Sequence, residues 1–185
     1  MLTFYFRRFL RPAISLLFIL GVLSAPIILG SVKPSNVIET ASALPKAALH
    51  RLLIWNFTTK KIFEKPVLGW GMNAARLIPG GQDKLHDASN SYYGQKLPLH
   101  PHNIALQVWL ELGLVGTILL SIFGALVILA ITAQNLPLSV SVCSIGQLTT
   151  GLAILNLSYG VWQTWWGASL YLAAALMIAV SRLPK

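Results

Sequence analysis

Long apolar runs dominate the chain, and they are too unbroken for the core of a soluble domain. Four of them, residues 12–30, 104–131, 138–157 and 165–181, approach the ~20 residues that a membrane-spanning helix needs. Asn135 and Pro137 mark a tight turn between the second and third. Trp162, Trp165 and Trp166 gather at the start of the fourth, as an interfacial aromatic belt would. Between the first and second runs, residues 31–103 are mixed in character. Within them, 46–65 carries a helical period. At 100° per residue, Ala48, Leu49, Leu52, Trp55, Ile62 and Phe63 share one face; Lys46, His50, Lys61, Glu64 and Lys65 share the other, and Arg51 lies on the boundary. Pro45 suits the first turn of that helix and Pro66 discourages its continuation. Pro66-Val-Leu-Gly-Trp-Gly71 reads as a turn, Pro79-Gly-Gly81 as another, and residues 82–95 as polar and irregular. The pattern predicts an all-α integral membrane protein of about four transmembrane helices with one long, partly helical loop.

Charge adds an orientation. Only 10% of the 185 residues are charged, against about 25% in an ordinary soluble domain, and none lies between Glu111 and Arg182. Such a stretch cannot form a water-facing surface, so a lipid bilayer is the first partner implied. Arg7, Arg8 and Arg11 precede the first run with no acid among them, so residues 1–11 are expected in the cytoplasm. Four spans return the C-terminus to the same side, where Arg182 and Lys185 agree. The loop holds the other nine basic residues, but loops beyond about 60 residues cross largely regardless of charge. The first run could instead be a cleaved signal peptide. Its best cleavage site, after Ala25, is followed by Pro26 and is poor, so an uncleaved anchor is expected. The net charge of +9 points to anionic partners such as lipid head groups or phosphorylated substrates. Nucleic acid is not expected, because the basic residues form no recognition motif. Cys143 is the sole cysteine and rules out an intrachain disulfide.

The string most able to carry chemistry is His100-Pro-His-Asn-Ile-Ala-Leu-Gln-Val-Trp-Leu-Glu111. Pro98 and Pro101 disfavour helix upstream, so the second span should start near Pro101. At 1.5 Å per residue its length is about 45 Å, more than the ~30 Å hydrocarbon core, so its first turns should stand above the bilayer. His102 would lie in that first turn. Asn103, Gln107 and Glu111 follow at i+4 spacing as one polar stripe. Spacing alone leaves two readings open: His102 or His100 as a general base, or a pair of interfacial histidines at a helix start. A metal site at His100 and His102 with His86 and Asp87 lacks a full ligand set at a recognisable spacing, so no metal is expected. Arg51, Lys60, Lys61, Lys65 and Arg76 form a second, basic constellation that could clamp a diphosphate or simply face solvent or lipid. No nucleotide-binding loop, nucleophile elbow or HExxH motif occurs.

Two strings resemble the C-terminal portion of the O-antigen ligase and polymerase superfamily. One is Arg51-Leu-Leu-Ile-Trp55 leading into Pro66–Gly71; the other is His100-Pro-His-Asn103 with Leu106-Gln107, Glu111-Leu-Gly113 and Gly116. The resemblance covers about residues 40–120. It implies transfer of a glycan from an undecaprenyl-diphosphate carrier to an acceptor hydroxyl in the periplasm, without a cofactor. The acceptor is lipid A-core sugar for ligases, a repeat unit for polymerases and a protein for the related oligosaccharyltransferases. It further implies His102 as the base with His100 in support, Arg51 and Arg76 as diphosphate ligands, and Asn103, Gln107 and Glu111 as substrate-positioning groups. The setting implied is the bacterial inner membrane, with both termini cytoplasmic and the loop periplasmic. Members of that superfamily usually have about ten to twelve spans, so a separate N-terminal half is an expected partner. Two rivals of another class are a non-catalytic scaffold or degenerate fragment, and a lipid-glycan transporter subunit that holds a diphosphate without reacting it.

Overall fold

A computed structural model describes residues 2–32, 45–86, 92–133 and 136–181. Asn135, Asp87, Arg182 and Lys185 lie outside the described residues. Five helices account for most of the fold: α1 (Leu2–Gly30), α2 (Lys46–Glu64), α3 (Ile104–Ile131), α4 (Leu138–Leu157) and α5 (Thr164–Ser181). Three of them contain stretches long and apolar enough to cross a membrane, namely Phe9–Gly30, Ile104–Ile131 and Leu138–Leu157. The fourth apolar helix, Thr164–Ala179, is shorter. The chain is thus a mostly helical, multi-pass membrane protein.

α1 and α3 form the main helix pair. They run antiparallel, because the Arg11 guanidinium donates to the Leu129 carbonyl at 2.8 Å and to the Thr132 hydroxyl at 3.3 Å. Gly124 has no side chain to keep the Phe18 ring away, so that ring packs directly against the backbone of α3 there. Pro26 lies inside α1 and has no N–H, which strips the Val22 carbonyl of its usual helical donor. The Trp109 indole supplies a replacement at 2.9 Å.

α3 is not continuous. Gly113 has φ 62° and ψ −158°, a left-handed conformation open to glycine at little cost, and it splits the helix into Ile104–Leu112 and Leu114–Ile131. The broken ladder is repaired by the Pro66–Gly71 turn. Trp70 and Gly71 N–H groups donate to the Leu110 and Glu111 carbonyls at 2.9 and 2.8 Å. Leu114 and Val115 N–H groups donate back to the Pro66 and Val67 carbonyls at 2.8 and 3.3 Å. The backbone groups freed by the break are thereby satisfied within the protein. The expected single over-long helix is therefore two segments joined at Gly113.

α2 is bounded by the two prolines as its sequence predicts, and Leu49 and Ile62 of the expected apolar face are buried, but burial extends beyond that face. Ile54, Thr58, Thr59 and Ile62 are buried and Phe63 is 60% exposed, because α2 is wedged between α1 and α3 and does not cover one apolar surface. The polar stretch expected to be irregular contains a two-stranded antiparallel hairpin, β1 (Lys84–His86) and β2 (Tyr92–Gln95), with Lys84 opposite Gln95 and an irregular step between Leu85 and His86. A short 3-10 turn, Ala74–Leu77, precedes it. The hairpin is tied to α2 by a 2.8 Å bond from the His50 ring to the Gln95 carbonyl.

Candidate active site

Pro98 and Pro101 keep the approach to α3 extended, and Leu97 and Pro101 are fully buried anchors. The Trp55 indole of α2 donates to the Pro101 carbonyl at 2.9 Å, so α2 holds the His100-Pro-His segment in place. The helix α3 begins at Ile104, beyond the expected start near Pro101. Asn103 is its N-cap, with its side-chain oxygen accepting from the Leu106 N–H at 3.0 Å. His102 therefore stands just outside the helix, at φ 53°. A non-glycine residue in that region carries backbone strain of roughly 1–2 kcal/mol, and such residues cluster where geometry serves function.

The two histidines meet edge to face with ring centroids 4.3 Å apart. The His102 N–H points to His100 Nδ1 at 3.3 Å, so that nitrogen is unprotonated. His102 Nδ1 lies 2.8 Å from the Ser158 carbonyl, in the turn between α4 and α5. A carbonyl can only accept, so Nδ1 holds the proton and the neutral ring presents Nε2 as a bare lone pair. Burial lowers the His100 pKa from 6.5 to about 4, and the charges of His102 and Arg76 push the same way. Burial also lowers that of His102; the Ser158 bond opposes the shift, while Arg51 and His50 add to it. Both rings are thus neutral near pH 7 in a strongly basic setting.

Arg51 and Arg76 come from different elements, α2 and the 3-10 turn, yet each is near enough to act on one histidine. Arg51 Nε is buried without a hydrogen-bond partner. Buried charged donors are ordinarily paired, so this N–H is open to an acceptor. Among the described residues no three His, Cys, Asp or Glu side chains gather closely enough to hold a metal ion.

The polar stripe of α3 turns into the protein. Gln107 and Glu111 are buried, with Gln107 Nε2 donating to Glu111 Oε1 at 3.3 Å. Gln107 Oε1 accepts from the Val161 N–H at 3.0 Å. Glu111 Oε2 accepts from the Asn73 N–H at 2.9 Å and from the Trp162 indole. These bonds fasten the Gly71–Asn73 turn and the α4–α5 turn to the upper segment of α3. Gly160 rests against the His100 ring, where a Cβ would come within 2.9 Å of it.

The sequence places a connection between the runs ending at 157 and starting at 165, but not its contacts with His102, Gln107 and Glu111. Trp162, expected in an interfacial aromatic belt, has its indole bonded to Glu111. The one available signal is that a buried acid on a spanning helix must have a partner, and few polar groups follow it in the chain. His50 was also missed, having been placed on the outward face of α2.

An O-antigen ligase family model matches residues 1–121. Similar proteins include three named "Putative polysaccharide ligase". That of Rickettsia conorii is 36% identical over 179 residues, covering 90% of this chain and 41% of its own length. That of Rickettsia bellii is 36% identical over 181 residues, covering 91% and 42%. That of Rickettsia typhi is 38% identical over 162 residues, covering 83% and 37%. The chain spans about two fifths of the length of these relatives. No solved structure matches it. With the match reaching from α1 through the broken upper part of α3, the chain belongs to the O-antigen ligase family.

Proposed function

We propose that the chain forms the acceptor-activating and diphosphate-holding part of a glycosyltransferase of ligase type, using undecaprenyl-diphosphate-linked glycan as donor. The acceptor is a hydroxyl of lipid A-core or another glycan on the periplasmic side of the bacterial inner membrane. His102 Nε2 takes the acceptor proton as that oxygen bonds to the anomeric carbon. The bond from that carbon to the diphosphate oxygen breaks, and undecaprenyl diphosphate leaves with the electron pair. Arg51 and Arg76 balance the charge that develops on the leaving group. Asn103, Gln107 and Glu111 act through position, the first by capping α3 and the others by holding the α4–α5 turn whose carbonyl sets the His102 tautomer. His100 supports His102 from beneath.

One observation carries this reading: a neutral imidazole with its Nδ1 proton fixed on a carbonyl and its Nε2 unassigned, beside an arginine with an unpartnered N–H. The test is glycan transfer by the chain joined to the remaining spans of a full-length relative. Asn tolerates left-handed backbone, so His102→Asn keeps the fold while removing the base. Transfer should fall about 10²–10⁴-fold with membrane insertion unchanged. Near-normal transfer by that variant would exclude His102 as the base.

A further inference from the structure

Two sets of contacts fix the height of the C-terminal half of α2. Gly30, at the top of the first span, lies so close to Thr59 that a Cβ there would meet the Thr59 methyl at 2.5 Å. The Pro66 and Val67 carbonyls are bonded to Leu114 and Val115, at the top of the lower segment of α3. Leu114–Ile131 is about 27 Å long at 1.5 Å per residue, which matches the ~30 Å hydrocarbon core. Both contacts therefore lie at one boundary of the bilayer.

At that boundary the protein exposes apolar side chains to its surroundings. Phe63, Val67 and Leu68 are 60, 57 and 73% exposed, and they continue the open faces of Ile27 on α1 and Val115 on α3. A cleft of about 320 Å³ opens here between Ile27 and Gly30 of α1 and Asn56, Thr59, Lys60 and Phe63 of α2. Its volume is at the small end of ligand pockets, enough for part of one hydrocarbon chain. Among the described residues no acid lines it, and Lys60 is exposed and forms no salt bridge. Glu64, the one acid nearby in α2, is taken by Lys61 at 2.8 Å.

We propose that this face is seated in the bilayer leaflet on the loop side and holds an anionic phospholipid, with an acyl chain in the α1–α2 cleft and the phosphate at Lys60. The occupant follows from charge and height: an apolar slot level with the lipid boundary, rimmed by an unpaired cation. Lys65, stacked on Trp70 at 4.2 Å, extends the basic rim. The seat is separate from the His102 cluster and does not depend on the reaction proposed above.

The test uses the full chain in nanodiscs of phosphatidylglycerol and phosphatidylcholine containing no polyprenyl lipid. Nitroxides at Phe63→Cys and Leu68→Cys, in a Cys143→Ser background, should relax with oxygen and not with a water-soluble nickel chelate. A nitroxide at the exposed Lys84 should do the reverse. Native mass spectrometry should find phosphatidylglycerol retained on the protein. Lys60→Glu, and Ile27→Trp, which fills the slot from an exposed position, should each cut that retention at least about fivefold. Labels shielded from both relaxants would mean that protein covers the face, and would overturn the proposal. So would nickel-accessible labels, or retention equal in all variants.

Discussion

At the scale of single residues, the depressed histidine pKa values make the chemistry pH-dependent in a definite direction. An active His102 must be neutral, and its pKa lies below 6.5, so transfer should persist as pH falls through 6.5 and fail only in more acidic solution. Arg51 helps to hold that pKa down, so Arg51→Gln should move the acid limb of the pH–rate profile upward as well as weakening donor binding. Arg51→Lys should leave the limb in place and impair only donor use, because it keeps the charge and loses the fork. A limb that stays put in Arg51→Gln would separate the two residues. His100 gives a matching prediction for stability. Its folded pKa of about 4 lies below the unfolded 6.5, so the unfolded chain takes up a proton first on acidification. Stability is fully present above about 6.5 and is lost as pH falls toward 4. Thermal unfolding in detergent should track that window, and His100→Gln should flatten it.

At the scale of elements, the crossing of Gly69-Trp-Gly71 with the break in α3 is the joint on which the site stands. Gly69 and Gly113 both have positive φ, and a Cβ on either would meet backbone of the other strand of the crossing at 2.5 and 2.4 Å. Gly113→Ala should therefore destabilise by more than the ~1 kcal/mol of an ordinary glycine replacement, read as a lower unfolding temperature and lost transfer together. Trp109→Phe tests the second joint. It leaves the Val22 carbonyl without a donor and should cost about 1–3 kcal/mol, provided no water enters the gap. These joints also mark where sequence reading stops. Prolines are local signals, so Pro45 and Pro66 bounded α2 from sequence, and the apolar runs located the spanning helices. Gly113 lies within a continuous apolar run and looks like any small residue in a membrane helix. Its break becomes visible only once the Pro66–Gly71 turn is found beside it. The hairpin at Lys84–His86 and Tyr92–Gln95 lacks an alternating pattern, because it covers α2 through His50 and not through an apolar face. His100, His102, Arg51 and Arg76 could be singled out by chemistry and resemblance. The fixing of the His102 ring on the Ser158 carbonyl depends on a contact 56 residues apart, which no local pattern encodes.

At the scale of the whole molecule, the Arg11 bonds to Leu129 and Thr132 put the start of α1 and the end of α3 on one side, opposite the loop. Cysteines at the exposed Leu77 and Lys84, again without Cys143, should react with an impermeant thiol reagent in spheroplasts. One at the exposed Ser139 should react only after the membrane is opened. The reverse pattern would place the histidine cluster in the cytoplasm. The bond from His102 to the Ser158 carbonyl reaches across 56 positions of chain and across two membrane crossings. During synthesis, His102 leaves the ribosome well before that carbonyl exists, and it waits with its ring unfixed until α4 and α5 are threaded into lipid. A nascent chain halted after α3 would carry every histidine and arginine of the cluster and still lack the group that orients it. The orientation of the His102 ring is thereby tied to completion of the α4–α5 turn.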